Sequence, residues 1–130
     1  MTTPTPQRVI TVSINGTSNA ATASYSYLSR SGVPFTNAPV CDLNCNCPTN
    51  FLFALDYQST TNGWTVTNFT SVQPNKQLTA TAGPNLQSYC VVDVDTTKSP
   101  PKTYAFLLTY TNTVTGAVIS PDPQVTNDPS

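Results

Sequence analysis

Histidine and glutamate are both absent from this chain of 130 residues. Without histidine there is no Ser-His-Asp or Cys-His nucleophile pair, no HExxH metal site and no imidazole acid-base scheme. Charge of either sign is scarce: charged residues make up 8% of the chain, about a third of the usual share. The acids are Asp42, Asp56, Asp93, Asp95, Asp122 and Asp128, and the bases are Arg8, Arg30, Lys76, Lys98 and Lys102. A net charge of −1 with scattered bases leaves no footprint for nucleic acid or an anionic membrane surface. No stretch approaches the roughly 20 apolar residues that cross a bilayer. The N-terminus has no basic segment followed by an apolar one, so no signal peptide is expected and the default compartment is the cytoplasm. Any chemistry falls to Asp, Lys, Cys or Tyr.

Thr, Ser and Asn together supply about a third of the residues, and hydrophobic residues only 38%. Uncharged polar and β-branched residues in this mixture suit strands with one wet face. Ile10, Val12 and Ile14 alternate with Thr11 and Ser13 and end at the turn pair Asn15-Gly16. Similar signals place strands around Tyr25 and Tyr27, Phe51 to Leu55, Trp64 to Thr70, Lys76 to Thr81, Ser88 to Val94, Thr103 to Tyr110 and Ala117 to Ile119. No window of a dozen residues carries a clean helical period. The expected fold is therefore all-β: a single domain over residues 1–130, an antiparallel β-sandwich of about eight strands, immunoglobulin-like in general architecture. Residues 120–130 read as a C-terminal tail.

Cys41, Cys45 and Cys47 fall in one loop, with Cys90 on a predicted strand. Four thiolates suffice for a tetrahedral zinc, but the C-x3-C-x-C spacing lacks the paired C-x2-C elements of zinc sites. A disulfide needs an oxidising compartment. One buried strand cysteine and a loop of mostly free thiols is the plainer reading, and no metal or organic cofactor is expected.

The last residues hold two Asp-Pro bonds, Asp122-Pro123 and Asp128-Pro129. An aspartate carboxylate can attack its own carbonyl and close a five-membered anhydride. The proline nitrogen has no N–H, and once protonated it leaves readily. Water then opens the anhydride to a cleaved chain, or a deprotonated lysine opens it to a side-chain amide. Asp-Pro is also ordinary turn chemistry, since Asp starts turns and Pro fixes φ.

The run Asp122-Pro123-Gln124-Val125-Thr126-Asn127-Asp128-Pro129 resembles the DP-EP family, named for an Asp-Pro followed shortly by a Glu-Pro. The strand Thr103 to Asn112, the Thr115-Gly116 turn and Ala117 to Pro121 fit the approach to that motif, so the resemblance covers roughly the last thirty residues. It implies a β-sandwich that cleaves its own Asp-Pro bond, with a lysine able to join the cleaved aspartate and with members that self-assemble. The substrate is then the chain itself, and a homo-oligomer is implied. Carried over, Asp122 is the aspartate of the cleaved bond and Pro123 the residue released with the tail. Asp128-Pro129 stands where the family has Glu-Pro, a carboxylate shorter by one methylene. Misplacement by about 1 Å can cost around a hundredfold in rate. Lys102 is the expected cross-linking lysine, with Lys98 the fallback.

A two-residue turn at Thr115-Gly116 sets Asp122 opposite about Thr109 and Asp128 opposite about Thr103. Lys102 then lies about 20 Å along the ladder from Asp122, unless Pro121 and Pro123 break the ladder and the tail folds back. Asp93 and Asp95 share one strand face and are either further water-activating carboxylates or a solvated surface. The alternative function is a non-enzymatic β-sandwich adhesion or interaction module, in which the Asp-Pro pairs are turns.

Overall fold

The alternation around Ile10 becomes a strand in which Ile10, Val12 and Ile14 are buried while Thr11 and Ser13 stay partly exposed. The computed structural model describes residues 5–72, 76–95 and 100–128. In chain order its strands are β1 (Gln7–Asn15), β2 (Thr22–Leu28), β3 (Pro34–Ala38), β4 (Asp42–Cys45), β5 (Thr49–Leu55), β6 (Trp64–Ser71), β7 (Leu78–Ala82), β8 (Ser88–Asp93), β9 (Lys102–Asn112), β10 (Val118–Ile119) and β11 (Gln124–Asn127). One short helix, α1 (Tyr57–Thr61), links β5 to β6. No helix among the described residues is long and apolar enough to cross a membrane.

Two sheets pack face to face, as a β-sandwich requires. The first runs β3-β2-β1-β5-β8-β7. In the second, β9 is the spine: β6 pairs along one edge, β10 and β11 share the other, and β4 lies outside β11. Ile10, Tyr25, Phe51, Phe53 and Val91 from the first sheet meet Leu43, Trp64, Phe106, Leu108, Tyr110 and Val125 from the second. Phe53 and Phe106 cross the interface edge to face with centroids 5.7 Å apart, an arrangement worth about 0.5–1.5 kcal/mol beyond area burial. Trp64 Nε1 donates to Gly16 O at 3.0 Å, so the buried indole keeps a partner.

The architecture differs from the expectation in three respects. Pairing is mixed, because β1 lies parallel to β5 and β4 parallel to β11. Side chains alternate identically in both pairing senses, so the alternation carries no information on direction. The sequence reading also lacks β3, β4 and β11. Residues 124–127 are an interior strand with neighbours on both sides, not a tail.

The third difference is register. Asn112 is fully buried, and its Oδ1 accepts the N–H groups of Val114 and Thr115 at 2.9 and 3.0 Å. Asn112 N donates to Ala117 O at 2.8 Å, so the loop spans residues 113–116 and not Thr115-Gly116 alone. That longer loop pairs Val118 with Thr111 and Asn127 with Lys102. Asp122 consequently falls opposite Leu107, two residues from the expected Thr109. The ladder also runs straight through the prolines. Leu108 N donates to Pro121 O at 3.2 Å and Phe106 N to Pro123 O at 3.1 Å, because proline lacks a donor but keeps its carbonyl.

Candidate functional site

The Asp122-Pro123 peptide is anchored on both sides. Besides the two bonds from β9, Gln124 N donates to Cys41 O at 3.0 Å on the opposite edge. Pro123 is buried and Asp122 exposed. No hydrogen bond between described residues involves Asp122. Beside this bond lies a cavity of about 50 Å³, lined by Tyr25, Pro39, Val40, Cys41, Pro121, Asp122 and Pro123. A water occupies roughly 30 Å³ in the liquid, so the cavity has room for one.

Tyr25 closes the cavity from the facing sheet. It is 2% exposed, and its hydroxyl has no hydrogen-bond partner among the described residues. Burial pushes the phenol well above its ordinary value, and negative charge at Cys41 and Asp122 adds to the effect. Burial likewise pushes the Cys41 thiol up to about 12, with Asp42 raising and Arg8 lowering it. Both groups are therefore neutral at ordinary pH, and the tyrosine lines the cavity that borders the Asp-Pro bond. Nothing in the motif around Asp122 points to Tyr25, which comes from a strand nearly one hundred residues earlier.

The remaining expected residues sit at the other end of β11. Asp128 follows the strand, six residues or about 20 Å beyond Asp122. Its N–H donates to Cys45 O at 2.8 Å, and its carbonyl accepts a long 3.5 Å bond from Arg30. Lys102 pairs with Asn127, and its ammonium lies over the Tyr104 ring at 5.6 Å. Neither Asp128 nor Lys102 shares the cavity with Asp122. Lys98 and Pro129 lie outside the described residues. A wider depression of about 380 Å³ borders Arg8, Arg30, Cys45 and Cys47 and does not include Asp122.

Asp93 is fully buried at the end of β8, so the reading of a solvated Asp93–Asp95 face is corrected. Its Oδ1 accepts Asn127 Nδ2 at 3.1 Å and the Asp95 N–H at 2.9 Å, and its Oδ2 lies 3.3 Å from Cys45 Sγ. Cys45 Sγ is also 3.2 Å from Asn127 Oδ1. Burial raises the Asp93 carboxyl, and the bonds from Asn127, Asp95 and Cys45 hold it back only in part. Burial and the neighbouring Asp93 charge push the Cys45 thiol well above its usual range.

All four cysteines are free thiols. Cys41 and Cys45 are buried and flank Leu43, whereas Cys90 is half-buried and Cys47 exposed. The expected single buried cysteine on a strand is thus replaced by two on β4 and the residue before it. Among the described residues no three metal-ligating side chains converge. No protein-family model matches this chain, and no curated protein matches it.

Proposed function

We propose that this chain is a self-cleaving endopeptidase acting on its own Asp122-Pro123 bond. The observation that carries the reading is the cavity beside that bond, with room for a water and lined by Tyr25, whose buried hydroxyl has no partner among the described residues. The Asp122 carboxylate attacks its own carbonyl carbon, forming a C–O bond and a cyclic anhydride. The C–N bond breaks as the proline nitrogen takes a proton, relayed from the Tyr25 hydroxyl through the cavity water. Water then opens the anhydride, one of its protons returning to the Tyr25 oxygen, and leaves a C-terminal aspartate at position 122 and a new N-terminus at Pro123. The backbone bonds at Pro121, Pro123 and Gln124 hold the reacting peptide in one conformation, which is how a frame contributes to such a reaction. The reaction uses no metal or organic cofactor.

This reading gives Asp128 and Lys102 no part at Asp122, because six residues of strand intervene. It also changes what cleavage yields. Residues 124–127 are hydrogen-bonded to β9 and β4, so the clipped segment stays in place until the protein is unfolded. The test is intact-mass measurement under denaturing conditions after incubation across pH 4 to 8, beside Asp122→Ala. Cleavage is expected in the wild type alone, read as fragment 1–122 or, where the clipped segment stays covalently attached, as one added water; an uncut chain throughout sinks the proposal.

A second reading, an interaction module, has its own observation. Leu28, Val33 and Phe35 are 58%, 54% and 43% exposed around the edge strand β3. Exposed apolar residues on an open sheet edge invite strand pairing with another chain. Sedimentation of the wild type beside Phe35→Ser tests it: concentration-dependent association lost in the variant favours a module.

A further inference from the structure

Asn127 sits between two nucleophile-bearing residues. Its register partner on β11's parallel neighbour is Cys45, and on the antiparallel side it is Lys102. From the facing sheet Asp93 reaches both ends of the pair that is in contact: one carboxylate oxygen lies at Cys45 Sγ, the other at Asn127 Nδ2. The three side chains close a ring, and Cys45, Asp93 and Asn127 are 3%, 0% and 0% exposed. One thiol proton serves two acceptors here, Asp93 Oδ2 and Asn127 Oδ1.

We infer that Cys45 and Asn127 form an internal thioester, with Asp93 moving the proton. The thiol proton passes to Asp93 Oδ2 as Cys45 Sγ bonds to Asn127 Cγ. The amide plane turns about the soft terminal torsion of asparagine to present that carbon to sulfur. Asp93, now protonated on Oδ2, turns about its own terminal torsion and delivers that proton to the amide nitrogen; the C–N bond breaks, ammonia leaves and Asp93 is a carboxylate again. Thiol and amide become thioester and ammonia, with no oxidant or reductant. Exchange of an amide for a thioester is uphill in itself. Escape of ammonia to solvent drives it, and exclusion of water protects the product. The bond would staple β4 to β11 independently of anything that happens at Asp122.

The experiment is intact mass under denaturing, mildly acidic conditions for the wild type, Asp122→Ala, Cys45→Ser and Asp93→Asn. The Asp122→Ala chain keeps the outcome separate from self-cleavage. Asp122→Ala is expected lighter than its sequence by one ammonia, the loss opened by hydroxylamine. In the cleaved wild type the thioester keeps residues 123–130 attached until hydroxylamine releases fragment 1–122, and in Cys45→Ser that fragment is free from the start. Full mass in Asp122→Ala overturns the inference. An ammonia loss that resists hydroxylamine and persists in Cys45→Ser also overturns it, and assigns capture of Asn127 to an amine such as Lys102. Where Asp93→Asn does not fold, alkylation of the denatured wild type decides. Modification at Cys41, Cys47 and Cys90 with Cys45 spared supports the thioester; an alkylated Cys45 refutes it.

Discussion

Gly63 lies so close to the Asn112 side chain that a methyl on its α-carbon would come within 2.8 Å of Asn112 Oδ1. The same asparagine donates through Nδ2 to Asn62 O at 2.9 Å, so the turn before β6 and the loop after β9 are built on one side chain. Gly63 has φ +99°, where an L side chain is also strained. Gly63→Ala is therefore expected to lower the melting temperature clearly, with about 1–3 kcal/mol from backbone strain and steric displacement of Asn112 in addition. Gly116→Ala is the control: φ is +77° there, but nothing lies within 4 Å of an added methyl. Equal losses in the two variants would mean that Asn112 is not crowded.

Asp56 and Asp93 are expected to pull the pH dependence of stability in opposite directions. Burial works against the Asp56 carboxylate, but bonds from Ser13 Oγ at 2.6 Å and Ser59 N at 2.8 Å outweigh it and hold it below its ordinary 3.8. A lowered acid stabilises the fold above 3.8 and loses that contribution as pH falls through its folded value. Burial raises Asp93 above 3.8, so its effect is most favourable below 3.8 and is lost as pH rises through its folded value. Urea midpoints measured from pH 3 to 7 should fall less steeply on acidification in Asp56→Asn and more steeply in Asp93→Asn. Parallel curves for all three proteins would contradict both assignments.

Tyr25→Phe removes a hydroxyl with no partner among the described residues, so stability should hold or rise. If that hydroxyl relays the proton at Asp122-Pro123, cleavage should slow at least about tenfold, within the range of general acid effects. Denaturing mass spectra over time, paired with thermal melts, give both readouts. Undiminished cleavage in a folded Tyr25→Phe chain would remove Tyr25 from the reaction and leave the Asp122 chemistry standing.

Thiol labelling of the native protein should proceed in a fixed order. Cys47 is exposed and reacts first, and half-buried Cys90 follows. Cys41 has its thiol pushed up to about 12 by burial and should resist until unfolding. Rapid native labelling of Cys41 would mean that β4 opens readily from the sheet.

Much of this was readable from alternation, and the exceptions have physical causes. Cys41, Leu43 and Cys45 alternate with Asp42 and Asn44 as a half-buried strand should. Strand β4 is only four residues long, too short for its alternation to stand out beside a cluster of cysteines that are also possible metal ligands. In β11 only Val125 is apolar. Its other inward residue, Asn127, is acceptable in a core because Asp93 and Cys45 complete its bonds from distant strands. Helix α1 is five residues long, below the reach of a periodicity test, and is set by the Asp56 cap and by Ile14 N donating to Ser59 Oγ at 2.8 Å. At the candidate site the Asp-Pro pairs were visible as motifs. Tyr25 was not, because only the packing of one sheet on the other brings it to Asp122.

The position of β11 bears on how the protein comes into being. Among the described strands it is the last to be synthesised, yet it is the sole sheet partner of β4 and lies between β4 and β9. Until residues 124–127 have been made, β4 has no described strand to join, and the part of β9 that pairs with β11 has an open edge. The second sheet therefore closes only after translation has passed residue 127. Contacts this distant in sequence make for slow folding, and any nucleophile held beside Asn127 or Asp122 stays idle until that final strand arrives.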